Sequence, residues 1–132
     1  MRYCQHPDQR GQALSAFVAV VLTALFGVAG LVVDGGAKSA GRAEAESVAA
    51  HAARAAVDAS ARARATGTPL DVGAVRAAGA QVISDRGLVG EVTIVDGVVR
   101  VTTTSTSRTV FLSLVGITTL TSTGEATAVL ER

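Results

Sequence analysis

A run of 23 residues without a charged side chain, from Gly11 to Val33, limits this chain more than any other feature. Asp8 and Arg10 precede it and Asp34 closes it behind. As an α-helix rising 1.5 Å per residue it covers roughly 34 Å, enough for a hydrocarbon core about 30 Å thick. A secretory signal peptide is the rival reading, but such a peptide has an apolar region of only about 7 to 15 residues and then a small-x-small cleavage site. Here the stretch is longer, and the small residues nearest its end, Gly27, Ala29 and Gly30, still lie inside it. The run reads as a retained transmembrane helix.

Subtracting the leader and the span from 132 residues leaves about 99, which suits one small domain. With three Phe, one Tyr and no Trp, its core must be built from Val, Leu, Ile and many Ala, so it will be thin. A net charge of +1 argues against a polyanion-binding basic protein, and nucleic acid is not expected as a partner. Cys4 is the sole cysteine, so no intramolecular disulfide can form. It also precedes the apolar region, whereas a lipoprotein cysteine would follow it. Arg2 and Arg10 stand before the span, Lys38 and Arg42 after it, and charge counting alone does not orient it. The short leader and the acidic exit favour residues 1–10 inside the cell and everything beyond the span outside.

From Ala37 to Ala65 the sequence holds 14 Ala in 29 residues and no Pro, so the span is expected to run on into a helical stalk over 34–66. Only Gly35, Gly36 and Gly41 weaken the junction. A seam of small residues runs through Gly41, Ala45, Val48, Ala52, Ala55 and Ala59, and small seams permit close helix–helix packing. Arg42 with Glu46, Arg54 with Asp58, and Asp58 with Arg62 stand four apart and can pair on the exposed side. His51 lies among them without a second His or Cys at ligand spacing, as a surface histidine would.

Thr66-Gly67-Thr68-Pro69 ends the stalk and opens a second unit over 67–132. Asp71 is placed to cap a helix through about Asp85, with Val72, Val75, Ala78 or Gly79, and Val82 at helical spacing. Asp96-Gly97 is a hairpin turn signal, and pairing outward from it sets Val95 opposite Val98, Ile94 opposite Val99, and Val92 opposite Val101. Val92, Ile94, Val99 and Val101 then share one face, with Thr93 and Arg100 on the other. The Thr and Ser residues from Thr102 to Ser107 read as a solvated extension of the second strand. Val110, Phe111, Leu114 and Val115 match one to two turns of helix, opened by Ser107 or Thr109 and stopped by Gly116, with a short strand as the alternative. Leu120, Ala126, Ala128 and Leu130 fall on one face of a third strand together with Ser122 and Gly124, the latter a candidate bend. The fold class is α+β: a transmembrane helix continuing into an Ala-rich helix, then a short helix and a three-stranded antiparallel sheet that the stalk or the Asp71 helix must cover.

Three segments carry a family likeness. The run Asp8-Gln9-Arg10-Gly11-Gln12-Ala13-Leu14-Ser15-Ala16-Phe17-Val18, the exit Gly30-Leu31-Val32-Val33-Asp34-Gly35-Gly36 and the Ala-rich Ala49 to Ala59 segment resemble the TadE/TadG-like proteins of the tight-adherence, or Flp, pilus systems. Phe111-Leu112-Ser113-Leu114-Val115-Gly116-Ile117, followed by a Thr-rich strand ending Ala126-Thr127-Ala128, also looks like theirs. The likeness covers both ends of the chain and leaves its middle less distinctive.

What the resemblance implies is a pilin-like fold and a non-enzymatic pseudopilin-like or minor-pilin-like component of a pilus assembly or secretion machine. It would sit in membrane lipid beside other pilin-like subunits and an inner-membrane assembly platform. It also implies a prepilin peptidase cut after a Gly that follows a basic leader, and Gly11 before Gln12 fits; a permanently uncleaved anchor is the alternative. In the family pattern a Glu stands five residues beyond the cut; here that residue is Ala16, although the aromatic Phe17 follows. In a bundle that acid could neutralise a neighbour's N-terminal amine, an unpaired charge in the membrane costing at least about 2.5 to 3.5 kcal/mol. Its absence favours a capping, initiating or accessory role over a repeating shaft subunit.

An enzyme is not expected, because no His/Cys cluster, phosphate loop or nucleophile elbow appears and no cofactor is implied. Asp34-Gly35-Gly36 lacks the strand and spaced glycines of a phosphate-gripping loop and reads as an interfacial turn. The competing function is an anchored extracytoplasmic binding module unrelated to pili, which would offer the outer face or edge of its sheet to a partner strand.

Overall fold

The computed structural model describes residues 9–130; the expectations for Cys4, Asp8 and the front of the leader lie outside them. Helix α1, Gln9–Ala65, is one unbroken helix of 57 residues. It passes through Gly35, Gly36 and Gly41, so the interfacial turn expected at Asp34-Gly35-Gly36 does not form. Three glycines lower helix propensity, but the turns on both sides are rich in Ala, Leu and Val, and Gly41 is buried against the sheet. Amides of Gly67 and Thr68 fold back onto the carbonyls of Arg64 and Ala63 and end the helix, the double closure of a Schellman turn.

Helix α2, Val72–Asp85, is capped by Asp71, whose carboxylate accepts the Gly73 amide at 2.8 Å. Its buried stripe is Val75, Gly79 and Ile83. The expected outer members Val72 and Val82 are exposed and half-buried, because a 3.6-residue period continued from Val75 and Gly79 lands on Ile83.

Strands β1 (Val89–Val95), β2 (Val98–Arg108) and β3 (Thr119–Val129) form one antiparallel sheet in the order β1-β2-β3. Val95 faces Val98, Ile94 faces Val99, and Val92 faces Val101, the register read outward from the turn. Asp96 and Gly97 both have positive φ, 52° and 77°. That is the type I′ geometry whose twist matches a two-residue hairpin and which Asp-Gly tolerates best.

One face of the sheet is covered by α1, which crosses β2 and β3, while α2 packs on α1 and on β1. Both cover elements named from the sequence are therefore used. The apolar centre joins Val48, Ala52 and Ala56 of α1 to Val75 and Ile83 of α2 and to Val92, Val99 and Val101 of the sheet.

The Thr/Ser end of β2 departs from the sequence reading. It is paired with β3 as far as Arg108, and Thr103 and Ser105 are buried against α1 rather than solvated. Thr103 Oγ1 donates to the Ala45 carbonyl at 2.7 Å, Ser105 Oγ to Glu44 Oε2 at 3.3 Å, and Ser122 Oγ of β3 to the Lys38 carbonyl at 3.2 Å. A buried hydroxyl is tolerated only with a partner. Small residues on α1 expose backbone carbonyls that supply one. The helix–sheet interface is thus apolar at one end and, at the other, a set of hydroxyl bonds to two α1 carbonyls and to the Glu44 carboxylate. Thr103→Val keeps shape and removes one such bond, so thermal denaturation of the full chain in detergent should show a loss of about 1 kcal/mol; an unchanged melting temperature would count against this interface.

Candidate functional site

Two features stand out: the uncovered half of α1, and a loop that reaches back to it. From Gly11 to Val33 every residue is exposed except Gly30, including Phe17, Leu25, Phe26 and Leu31. Among the described residues only the loop at Gly30 touches this length, and α1 is long and apolar enough there to cross a membrane. Gly11 and Gln12, the expected peptidase site, lie exposed within the first turns of the helix.

The loop between β2 and β3 holds a single 3-10 turn, Leu112–Val115. Neither Ser107 nor Thr109 opens it. Ser107 belongs to β2, and Thr109 Oγ1 donates instead to the Ile117 carbonyl across the neck of the loop. The capping group comes from α1. Asp34 Oδ1 accepts the Val110 amide at 2.8 Å, while Oδ2 accepts those of Phe111 at 3.1 Å and Leu112 at 2.7 Å. This carboxylate stands 76 residues from the first of its donors and is only 1 % exposed. It does for the loop what a local Asp or Ser does at an ordinary helix start.

The Val110 amide foremost, with those of Leu112 and Phe111, holds the Asp34 carboxyl below its ordinary value against the opposing effect of desolvation. Because the folded form binds the proton less readily than the unfolded one, the charged cap contributes stability above the ordinary carboxylate range. That contribution is lost as pH falls through the lowered folded value. Hydrogen exchange at Val110, Phe111 and Leu112 should therefore be flat from neutral pH down to about 5 and lose protection only in stronger acid, below about 4, after correction for the intrinsic rate. Loss of protection near neutrality would contradict this assignment.

The small seam on α1 is used within the chain. Gly41, Ala45, Val48 and Ala52 are buried. Gly41 faces the hydroxyls of Ser105, Ser107 and Ser122, Ala45 meets Gly124, and the Ala52 carbonyl meets Gly79 of α2. These four therefore present no free face to a neighbouring chain, and the helix packing seen on this seam is with α2. Ala55 and Ala59 are half-buried. Period alone cannot distinguish a seam facing a sheet from one facing another helix.

Arg42 and Glu46 pair at 2.8 Å. The expected Arg54–Asp58 and Asp58–Arg62 pairs do not form among the described residues, since solvated side chains gain little by giving up rotamer freedom. His51 is exposed, its Nδ1 2.8 Å from the Ser47 carbonyl. Among the described residues no three His, Cys, Asp or Glu side chains gather as a metal site would need.

Comparison of the chain with family models, with curated proteins and with solved structures gives no match.

Proposed function

We propose that this chain is a non-enzymatic, membrane-anchored component of a Tad/Flp-type pilus or a related secretion system, pseudopilin-like or minor-pilin-like in form. It sits in the cytoplasmic membrane as a single-pass protein with its N-terminus inside and the α/β domain outside. The observation that carries the reading is the division of α1: one continuous helix whose first half is apolar and uncovered and whose second half is clasped by a three-stranded sheet. A subunit that packs by its N-terminal helix among like helices needs that division. The bare half supplies lateral contacts in lipid, and rigid continuity transmits the position of the domain. The sequence resemblance at both ends points the same way.

With Gly41, Ala45, Val48 and Ala52 covered, contacts between subunits fall on the bare half of α1 and on the outward side of its stalk, where Ala43 and Ser47 are exposed. Other pilin-like subunits and an inner-membrane platform are the partners of that surface, with a prepilin peptidase acting at Gly11-Gln12 where the leader is removed.

Single cysteines at Leu25, Ser47 and Thr104, each in a Cys4→Ser background, test this against the anchored binding module. Oxidative crosslinking in intact membranes should give adducts with short membrane chains or with itself from Leu25 and Ser47. Adducts from Thr104 alone, on the sheet, would favour the binding module, and recovery of the chain in the soluble fraction would reject both.

A further inference from the structure

We propose that the Val110–Ile117 loop is a second membrane-contacting element, which enters lipid beside the span of α1 and fixes how the sheet sits over the bilayer. The proposal rests on reading Gly11–Val33 as the lipid-spanning helix. Its first support is position. Phe111 stands over Gly30, where an added Cβ would fall 2.8 Å from Phe111 Cβ. Gly30 is four residues, about 6 Å, on the membrane side of Asp34. The loop therefore lies alongside residues of the apolar run, and Phe111, Leu114 and Val115 line an apolar groove of about 650 Å³ together with Phe26 and Leu31.

The loop surface gives the second support. Leu114 is 84 % and Val115 76 % exposed, and Val110 is exposed as well. This apolar surface is continuous with that of the span, whose Phe26 and Leu31 share the groove. Such a patch favours removal from water.

Hydrogen bonding gives the third. A non-helical segment enters hydrocarbon only when its backbone polar groups have partners. The first three amides of the loop are held by Asp34. Those of Leu114, Gly116 and Ile117 close onto the carbonyls of Phe111, Ser113 and Leu112, and Ser113 Oγ donates to the Val110 carbonyl at 2.6 Å. The loop has satisfied these groups without water. At its neck, Arg108 precedes it on β2, and Lys38 lies one turn beyond Asp34 on α1, both exposed. Cations at that level suit lipid phosphates, reached by long side chains from the edge of the apolar layer.

Lipid is the occupant assigned to the groove, because the bilayer that surrounds Phe26 and Leu31 already reaches its open side. In the test, the full chain carrying Cys4→Ser is reconstituted into vesicles of phosphatidylethanolamine and phosphatidylglycerol. An environment-sensitive fluorophore is attached at Leu114→Cys, Leu25→Cys or Thr123→Cys, and nitroxide-bearing lipids and aqueous iodide are the quenchers. Labels at Leu114 and Leu25 should be quenched by nitroxide lipid severalfold more than the label at Thr123, which iodide quenches instead. A label at Leu25 in lipid with one at Leu114 in water would overturn the loop proposal and leave the anchor standing. Failure of nitroxide lipid to reach Leu25 would overturn the anchor and the loop together. A Leu114 label shielded from both quenchers would put a protein surface, such as a second copy, on the groove and reject lipid. Val115→Cys gives the same reading independently where Leu114→Cys disturbs the turn.

Discussion

Gly124→Ala is expected to lower the melting temperature of the full chain in detergent by about 10 °C or more, although it adds one methyl group to a strand. The added Cβ would lie 2.3 Å from both the Ala45 carbonyl carbon and the Glu46 amide nitrogen, and 2.6 Å from the Ala45 oxygen. All three are backbone atoms in the middle of α1, so no rotamer change relieves the clash. Either β3 lifts from the helix or the helix bends. Lifting β3 also lengthens the Ser122 bond to Lys38 and strains the neighbouring Thr103 bond to Ala45, both of which depend on the same close approach. Overpacking of a well-fitted interior costs about 1 to 3 kcal/mol, and more where backbone must move. For a domain of this size each kcal/mol corresponds to about 4 to 8 °C. Thr123→Ala, one residue away on the outward face, is the control and should change stability by no more than about 0.5 kcal/mol. Equal melting temperatures for the two variants would show that β3 does not approach α1 as described.

That glycine illustrates where the sequence is legible and where it is not. The hairpin register could be read because Asp96-Gly97 fixes one pair and every other pair follows by counting. The helix of Asp71 could be read because its cap and apolar positions lie within one short segment. At Gly124 the sequence suggests a bend in a strand, since the atoms that require a glycine belong to Ala45 and Glu46, in a different element. The Thr/Ser stretch of β2 fails for the same reason. Hydroxyl groups look solvated until a helix with exposed carbonyls is laid against them, and Thr103 is then fully buried.

The seam from Gly41 to Ala59 shows the related ambiguity of period, which marks a packed face but not what is packed on it. Asp34 was visible as the acidic end of the span, and the Val110–Val115 segment as an apolar turn. The available clue to their connection was negative: Val110, Phe111 and Leu112 have no capping side chain immediately before them apart from Thr109, whose hydroxyl serves the Ile117 carbonyl. Three amides in an apolar segment need an acceptor from elsewhere.

Replacement of Asp34 should release that segment, at all three amides in the alanine variant and at Val110 first in the asparagine variant. All three amides point at the carboxylate, one at Oδ1 and two at Oδ2, and a carboxylate accepts through both oxygens. In Asp34→Asn one oxygen becomes an NH2 group that cannot accept. If it replaces Oδ1, it faces the Val110 amide donor to donor; if it replaces Oδ2, it faces those of Phe111 and Leu112. The first orientation opposes one amide and still accepts two, so it is the one the side chain takes, whereas Asp34→Ala leaves all three donors unpaired.

Hydrogen exchange in detergent or vesicles should then show protection falling about tenfold or more at Val110 in both variants, and at Phe111 and Leu112 in the alanine variant. Protection at Val99 and Val101, in the sheet centre beyond the loop, should stay near that of the parent. Gly30→Val reaches the loop from the other side, by displacing Phe111 while keeping the charge, and should loosen Leu112 to Val115 without abolishing the low-pH transition of Asp34. An asparagine variant that kept all three amides protected would mean that they are held by something other than the Asp34 carboxylate. The loop would then lose the tether that places it beside the span.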